Sequence, residues 1–175
     1  MIGERPRLVG ESAPLICVMG VSAAGKSTVG IALAETLGVP FVDADSLHSD
    51  ANRTKMNAGT PLTDDDRWPW LDAVGGAFVA AADTGLVMAC SALRRVYRDR
   101  IRSVSPDAVF VHLTGSRELL TSRASARTDH FMPASLLDSQ LDTLEDLGAD
   151  EAGFDVTVDR APDELVTEIV ERLAR

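Results

Sequence analysis

Two glycines, a lysine and three hydroxyl residues lie close together in the stretch GVSAAGKST, residues 20–28. Its spacing is G-x-x-x-x-G-K-[ST], which is typical of a loop that holds nucleotide phosphates. Glycines let the backbone turn its N–H groups toward phosphate oxygens, and a following helix adds the positive end of its dipole. In such a loop the lysine reaches the β- and γ-phosphates and the hydroxyl ligates Mg²⁺. The residues that fit this spacing are Gly20, Gly25, Lys26 and Ser27.

The elements on either side of this loop suit that role. Residues 15–19, LICVM, have the length and apolarity of a buried strand, and residues 26–37 are predicted to form a helix that ends at Gly38. The small residues inside the loop allow a tight wrap around phosphate. The predicted contacts to the nucleotide in this loop are Gly20, Ser22, Ala23, Ala24, Gly25, Lys26, Ser27 and Thr28.

Strand-like and helical stretches alternate along the rest of the chain. Further strands are predicted at 40–44, 86–90, 108–113 and 154–159, and helices at 48–58, 66–83, 93–103, 116–126, 134–146 and 162–174. Short apolar strands alternating with helices predict an α/β fold, with a parallel sheet covered on both faces. Such sheets bind ligands beyond the C-terminal ends of their strands. A length of 175 residues fits one domain, predicted over residues 14–175 after a flexible tail at 1–13.

Bulk properties exclude several classes of protein. The net charge of −10 argues against nucleic-acid binding, and it requires positive groups at the site itself if the substrate is an anion. No apolar run approaches the ~20 residues of a membrane span, and the N-terminus lacks an apolar signal core. We therefore predict a cytoplasmic location without membrane contact. Cys17 and Cys90 fall in predicted strands and are interpreted as buried thiols.

Acidic residues and a histidine follow the second predicted strand. Asp43 and Asp45 leave that strand toward the ligand edge, and His48 comes next. A carboxylate there can orient an acceptor hydroxyl and take its proton during phosphoryl transfer, which is the role predicted for Asp45. His48 is a candidate hydrogen-bond partner of a polyol or carboxylate. The alternatives are that Asp43 or Asp45 caps the following helix and that His48 only packs or caps.

Arginines with helical spacing follow the third predicted strand. Arg94 and Arg98 are four residues apart, and Arg98 is predicted to hold an anionic group of the substrate, because an arginine fork binds both oxygens of a carboxylate. Ser91 precedes them. It is either a site residue or the N-cap of the next helix.

A second basic pair follows the fourth strand. Arg123 and Arg127 are four residues apart and begin a segment, about 123–135, that we interpret as a mobile lid. Arginines on a closing lid neutralise charge on the γ-phosphate and exclude water. The alternative is a solvated basic helix end, which the helix dipole also favours.

Together these residues resemble the bacterial-type gluconokinases, small P-loop kinases related in fold to shikimate and nucleoside monophosphate kinases. The resemblance covers residues 14–174. It rests on GVSAAGKST, DADSLHSDANRTKMNAGTPLTDDDRWPWL, CSALRRVYRDRIR and RASARTDHFMPASLLDSQLDTLE. It implies a three-layer sandwich with sheet order 2-3-1-4-5, a mobile lid and commonly a homodimer. The implied reaction is MgATP-dependent phosphorylation of D-gluconate to 6-phospho-D-gluconate, which feeds the pentose phosphate or Entner–Doudoroff route.

The resemblance also assigns roles to individual residues. The catalytic residues are then Lys26, Asp45 and Arg127; the substrate contacts are Asp45, His48, Lys55, Ser91, Arg98 and His130; Ser27 ligates the metal and Arg123 contacts the nucleotide. Arg53, on the predicted helix after His48, is a further candidate for substrate contact. The family pattern further includes Asp66 and Arg67. One alternative is a P-loop kinase for another acceptor such as shikimate, which residues 46–71 would decide. The other is a regulator that binds nucleotide without transferring phosphate.

Overall fold

The computed structural model describes residues 12–126 and 134–175. Within them, five parallel strands form one sheet in the order β2-β3-β1-β4-β5. The strands are β1 Leu15–Met19, β2 Phe41–Asp43, β3 Leu86–Ala89, β4 Val109–Thr114 and β5 Gly153–Thr157. This confirms the predicted α/β class and the sheet order that the resemblance implies.

Seven helices and two 3₁₀ turns connect the strands in this part of the chain. The helices are α1 Lys26–Leu37, α2 Asp50–Asn57, α3 Asp64–Ala80, α4 Arg95–Val104, α5 Arg117–Ala126, α6 Ala134–Thr143 and α7 Pro162–Leu173. The 3₁₀ turns are Ser22–Ala24 and Ala44–Leu47. None of the described helices is long and apolar enough to cross a membrane.

The sheet is covered on both faces because side chains of a strand alternate between them. All five residues of β1 are buried, as expected for a central strand. Ile16 and Val18 join a core that includes side chains of α1, α5, α6 and α7. Cys17 and Met19 join the other core, which α3 and α4 cover. Because all five strands are parallel, their C-terminal ends lie at a single edge of the sheet.

One departure from the predicted elements lies between β3 and α4. The helix begins at Arg95, two residues later than predicted, and its N-cap Arg94 makes no capping hydrogen bond through its side chain. Ala92 has a φ of +43°, in the left-handed region that residues with a Cβ seldom adopt. The alternative that Ser91 caps this helix is therefore wrong. A tight loop carries Ser91 instead.

Candidate active site

The phosphate loop joins the end of β1 to α1. The N–H of Ala24 donates to the carbonyl of Val21 at 3.1 Å, which closes the 3₁₀ turn. Gly25 has a φ of +90°, and Gly20 has a φ of +143°. A Cβ on Gly20 would lie 2.9 Å from the backbone oxygen of Leu113. Glycine is therefore required at both ends of the loop, as its sequence pattern predicted.

Groups that fit a nucleotide phosphate converge on this loop. Helix α1 has no side-chain cap at its N-terminus, so its first N–H groups are left for another acceptor. The side chain of Lys26 folds back onto the loop, and its Nζ donates a hydrogen bond to the carbonyl of Val21 at 3.0 Å. Ser27 and Thr28 are exposed on the first turn of the helix. This donor set suits a phosphate chain, and the Ser27 hydroxyl is placed where it could ligate Mg²⁺.

A contact that the sequence did not indicate ties α6 to the phosphate loop. The backbone N–H and the hydroxyl of Ser22 both donate to Oε1 of Gln140, at 2.8 and 2.9 Å. The two residues are 118 positions apart, and no local sequence pattern predicts a contact between them. Helix α6, which follows the predicted lid segment, is thus docked against the loop through one side chain.

The two aspartates after β2 have different roles. Oδ1 of Asp43 accepts from the backbone N–H of Asp45 at 3.0 Å, so Asp43 caps the 3₁₀ turn. The carboxylate of Asp45 makes no hydrogen bond or ion pair with any described residue, and the residue is exposed. Partial desolvation, followed by the charge of Asp43, raises the pKa of Asp45, while His48 and Lys26 act in the opposite direction. Asp45 is therefore an unpaired carboxylate of raised basicity within the electrostatic reach of Lys26.

His48 ends the same 3₁₀ turn and is almost fully buried. Its ring stacks on Trp70 with centroids 4.2 Å apart, and Nδ2 of Asn52 lies 3.2 Å from its Nδ1. Trp70 is itself held by a hydrogen bond from its indole N–H to the carbonyl of Ala44 at 2.8 Å. Burial lowers the pKa of His48, an effect that the charge of Asp45 opposes. The ring is consequently a fixed, neutral group beside Asp45.

The basic residues of α2 are paired within the protein. Nζ of Lys55 donates to both oxygens of Asp66, at 2.9 and 2.8 Å. Asp66 also completes the capping box of α3 with Thr63, and the hydrogen bonds from Lys55 and Thr63 lower its pKa to about 2. Arg53 donates to the carbonyl of Ser46 at 2.6 Å. In this structure Lys55 and Arg53 join α2 to its neighbours. Their predicted contact with substrate stays a prediction.

Arg98 lies in the protein interior, which argues against its predicted role. Its side chain has no solvent exposure, and Nε and Nη2 donate to the two carboxylate oxygens of Glu151 at 2.8 and 3.0 Å. Nη1 donates to the carbonyls of Ala92 and Leu93 at 3.0 and 3.3 Å. A guanidinium engaged in this way cannot reach a ligand without losing a buried ion pair. We therefore remove Arg98 from the substrate site.

Ser91 instead lies beside the phosphate loop. Its carbonyl accepts from the N–H of Gly20 at 3.3 Å, while its hydroxyl has no hydrogen-bond partner in the described parts of the chain. The Ala92 and Leu93 carbonyls that Arg98 holds come directly after it. Arg98 thus supports the loop that places Ser91, a role that the sequence did not reveal.

A further basic cluster lies where α3 meets α4. Asp64 accepts from Arg94 at 3.0 Å and from the hydroxyl of Tyr97 at 2.7 Å. The guanidinium carbons of Arg67 and Arg94 are each 5.4 Å from the centre of the Tyr97 ring. Both arginine side chains remain about one-third exposed, at 30% and 37%. The carboxylate of Asp64 thus pairs with both arginines.

The lid is only partly described. Arg123 of α5 donates to the carbonyl of Val158, just beyond β5, so it lies at the edge where the strands end. Arg127 and His130, the other two predicted lid residues, fall outside the described residues, and their roles stay predictions.

Comparison with known proteins agrees with this geometry. A model of the shikimate kinase family matches residues 22–174. The gluconokinase of Gluconobacter oxydans (strain 621H) is 43% identical over 169 residues, which cover 95% of each chain. The thermoresistant gluconokinase of Escherichia coli (strain K12) is 40% identical over 157 residues, 88% of this chain and 90% of the relative. A crystal structure of a gluconokinase from Sinorhizobium meliloti 1021 has a TM-score of 0.83 and 48% identity, and covers 93% of this chain and 92% of that one.

The fold and the phosphate loop together define a P-loop kinase, the class to which the matching family model also belongs. Within that class the chain belongs to the gluconokinase family. This confirms the resemblance found in the sequence and establishes the protein as a phosphotransferase.

Proposed function

We propose that this protein transfers the γ-phosphoryl group of MgATP to the 6-hydroxyl of D-gluconate, giving 6-phospho-D-gluconate and ADP. The observation that carries the proposal is the carboxylate of Asp45, which shares a sheet edge with the phosphate loop and makes no hydrogen bond or ion pair with any of the described residues. The names of the relatives support gluconate as the acceptor.

In the proposed complex the loop holds the nucleotide. The first N–H groups of α1 and the Nζ of Lys26 bind the β- and γ-phosphates, and Ser27 contributes its hydroxyl to the metal. Bound Mg²⁺ supplies charge neutralisation on the phosphate oxygens. Arg123 contacts the nucleotide from the edge of β5, and Arg127 is proposed to add positive charge near the γ-phosphate.

Asp45 acts on the acceptor. Its carboxylate accepts a hydrogen bond from the 6-hydroxyl, which aligns the oxygen for in-line attack, and takes the proton as the new P–O bond forms. A raised pKa makes Asp45 a better proton acceptor than an ordinary aspartate. His48 and Ser91 supply neutral hydrogen-bonding groups to the acceptor, and the partly exposed arginines of the Asp64 cluster, Arg67 and Arg94, bind the gluconate carboxylate. Catalysis then depends on positioning and charge stabilisation.

The test is an acceptor panel. Purified protein is incubated with MgATP and, separately, gluconate, shikimate, AMP, glycerate or glucose, and ADP release is followed. We expect ADP only with gluconate. Shikimate is the most informative alternative acceptor, because the matching family model is that of shikimate kinases. ADP with another acceptor would overturn gluconate as the substrate, and acceptor-independent hydrolysis alone would favour a nucleotide-binding regulator.

We also propose a homodimer and a place in gluconate catabolism, on the sequence resemblance alone, and a cytoplasmic location, as predicted from the apolar patterning of the sequence.

A further inference from the structure

The orientation of the Asn52 amide follows from its partners. Asn52 lies on α2 and is 5% exposed. Its Nδ2 is 2.9 Å from the backbone oxygen of Asp66, and that oxygen can only accept a hydrogen bond. The amide must therefore present its NH₂ group, not its oxygen, at this point.

The same NH₂ group determines the protonation of His48. The Nδ2 atom of Asn52 is also 3.2 Å from Nδ1 of His48, so its second N–H points at the ring nitrogen. A proton on Nδ1 would face that N–H, and two donors cannot satisfy each other. Nδ1 must then be the acceptor, which leaves the proton of the neutral ring on Nε2.

The surroundings of His48 agree with a neutral ring. Burial lowers the pKa of His48, and Arg53 on α2 and Arg67 on α3 act in the same direction. Asp45, on the same 3₁₀ turn as His48, opposes them. The basic groups and the burial together outweigh the single carboxylate.

Packing also fixes the direction of the ring. His48 stacks nearly parallel to Trp70, at an interplanar angle of 14°, and Trp70 is anchored to the carbonyl of Ala44, the residue before Asp45. Among the described residues nothing accepts a hydrogen bond from Nε2 of His48. One donor on a rigid support beside Asp45 is thus left for a ligand.

We propose that Asn52 is a positioning residue, which holds His48 as the Nε2–H tautomer so that this N–H donates to an oxygen of bound gluconate. The inference rests on the proposed function for the identity of the ligand. The Nε2–H tautomer has a chemical advantage, because a neutral donor orients the gluconate without placing a positive charge beside Asp45. An imidazolium there would counteract the raised pKa of Asp45 and weaken it as a proton acceptor.

The first test needs no variant and no substrate. In ¹⁵N-labelled protein at about pH 7.5, above the ordinary pKa of histidine, two-dimensional NMR of the imidazole nitrogens reports the tautomer directly. The chain has three histidines, and His48→Gln assigns the signals of His48. We expect an unprotonated Nδ1 and a protonated Nε2. An Nδ1–H tautomer or a cationic ring would overturn the proposal.

The second test uses a charge-matched pair on α2. Asn52→Asp replaces the donor by a carboxylate, which can only accept, and so favours a proton on Nδ1. Asn57→Asp makes the same change at an exposed position of the same helix. We expect Asn52→Asp to convert His48 to the neutral Nδ1–H tautomer, whose Nε2 can no longer donate, and to raise KM for gluconate about tenfold, the equivalent of one lost hydrogen bond. KM for ATP should stay unchanged, and Asn57→Asp should behave as wild type.

The outcomes separate the inference from the proposed function. If the wild-type tautomer is Nε2–H but a folded Asn52→Asp protein whose ring is Nδ1–H keeps its KM for gluconate, the contact with gluconate is wrong. A cationic ring in the variant keeps the Nε2–H donor, so with it a raised KM would overturn the contact. If gluconate fails in the acceptor panel, the proposed function is wrong and the gluconate contact fails with it, whereas the NMR result on the tautomer stands independently.

Discussion

Replacing the buried carboxylate of Glu151 by an amide should destabilise the protein strongly. The side chain of Glu151 is 1% exposed, and it accepts hydrogen bonds from Arg98, from Arg102 at 2.6 Å and from the N–H of Gly148 at 2.7 Å. In Glu151→Gln the negative charge is lost, and the new NH₂ group faces guanidinium N–H groups. Arg98 would then be left without its counter-charge in the interior.

The magnitude can be reached in two ways. Breaking a buried ion pair by removing one partner costs about 3–5 kcal/mol. Burial raises the pKa of Glu151, but its hydrogen bonds with Arg98, Gly148 and Arg102 outweigh burial and bring the pKa from 4.5 down to about 2. That difference corresponds to roughly 3 kcal/mol of folding stability. Both routes indicate a loss on the order of 3 kcal/mol, or roughly 6–12 °C in Tm for a chain of this length.

The assay is urea unfolding followed by tryptophan fluorescence, with Asp72→Asn as control. Asp72 forms an ion pair with Arg100 at 2.6 Å, but both side chains are exposed, so its loss should cost less than about 1 kcal/mol. Because the lowered pKa stabilises the fold only while Glu151 is ionised, the wild-type advantage should persist above about pH 4.5 and disappear as the pH falls toward 2. Equal midpoints for Glu151→Gln and Asp72→Asn at neutral pH would refute this reasoning.

Three further predictions concern the site and its surroundings. Asp45→Asn should lower kcat by about 10²–10⁴ while KM for ATP stays near wild type, and steady-state kinetics with near-normal kcat would exclude Asp45 as the proton acceptor. Burial lowers the pKa of both His48 and His112. As the pH drops below about 6.5, these histidines therefore take up protons in the unfolded state before they do so in the folded state, and the folding stability should decrease. Denaturation midpoints that stay constant from pH 7 to 5 would contradict this. Gly20→Ala would place a Cβ against the backbone oxygen of Leu113 and so displace the phosphate loop. Titration with a fluorescent ATP analogue should therefore show weaker binding, and an unchanged affinity would show that the loop accommodates the Cβ.

Features that depend on neighbouring residues could be read from the sequence. The glycines of the phosphate loop are required by backbone angles inside the loop, and a parallel sheet needs continuous apolar strands separated by helices. Five strands and seven helices were therefore predictable over the described residues, with ends displaced by a few positions, whereas the sheet order came only from the family resemblance. The positions of Asp45 and His48 at the ligand edge followed in the same way, since parallel strands end at one edge.

The interior position of Arg98 could not be read in this way. On its helix it has the spacing of a ligand-binding residue, and its partner Glu151 lies 53 positions away. The link from Gln140 to the phosphate loop spans 118 positions, and the amide of Asn52 is oriented by an α3 carbonyl 14 positions on. A charged or polar side chain becomes structural or functional according to the partner that folding brings to it, because burial is tolerated only where a charge is paired or a hydrogen bond is made. Only the tertiary structure supplies those partners.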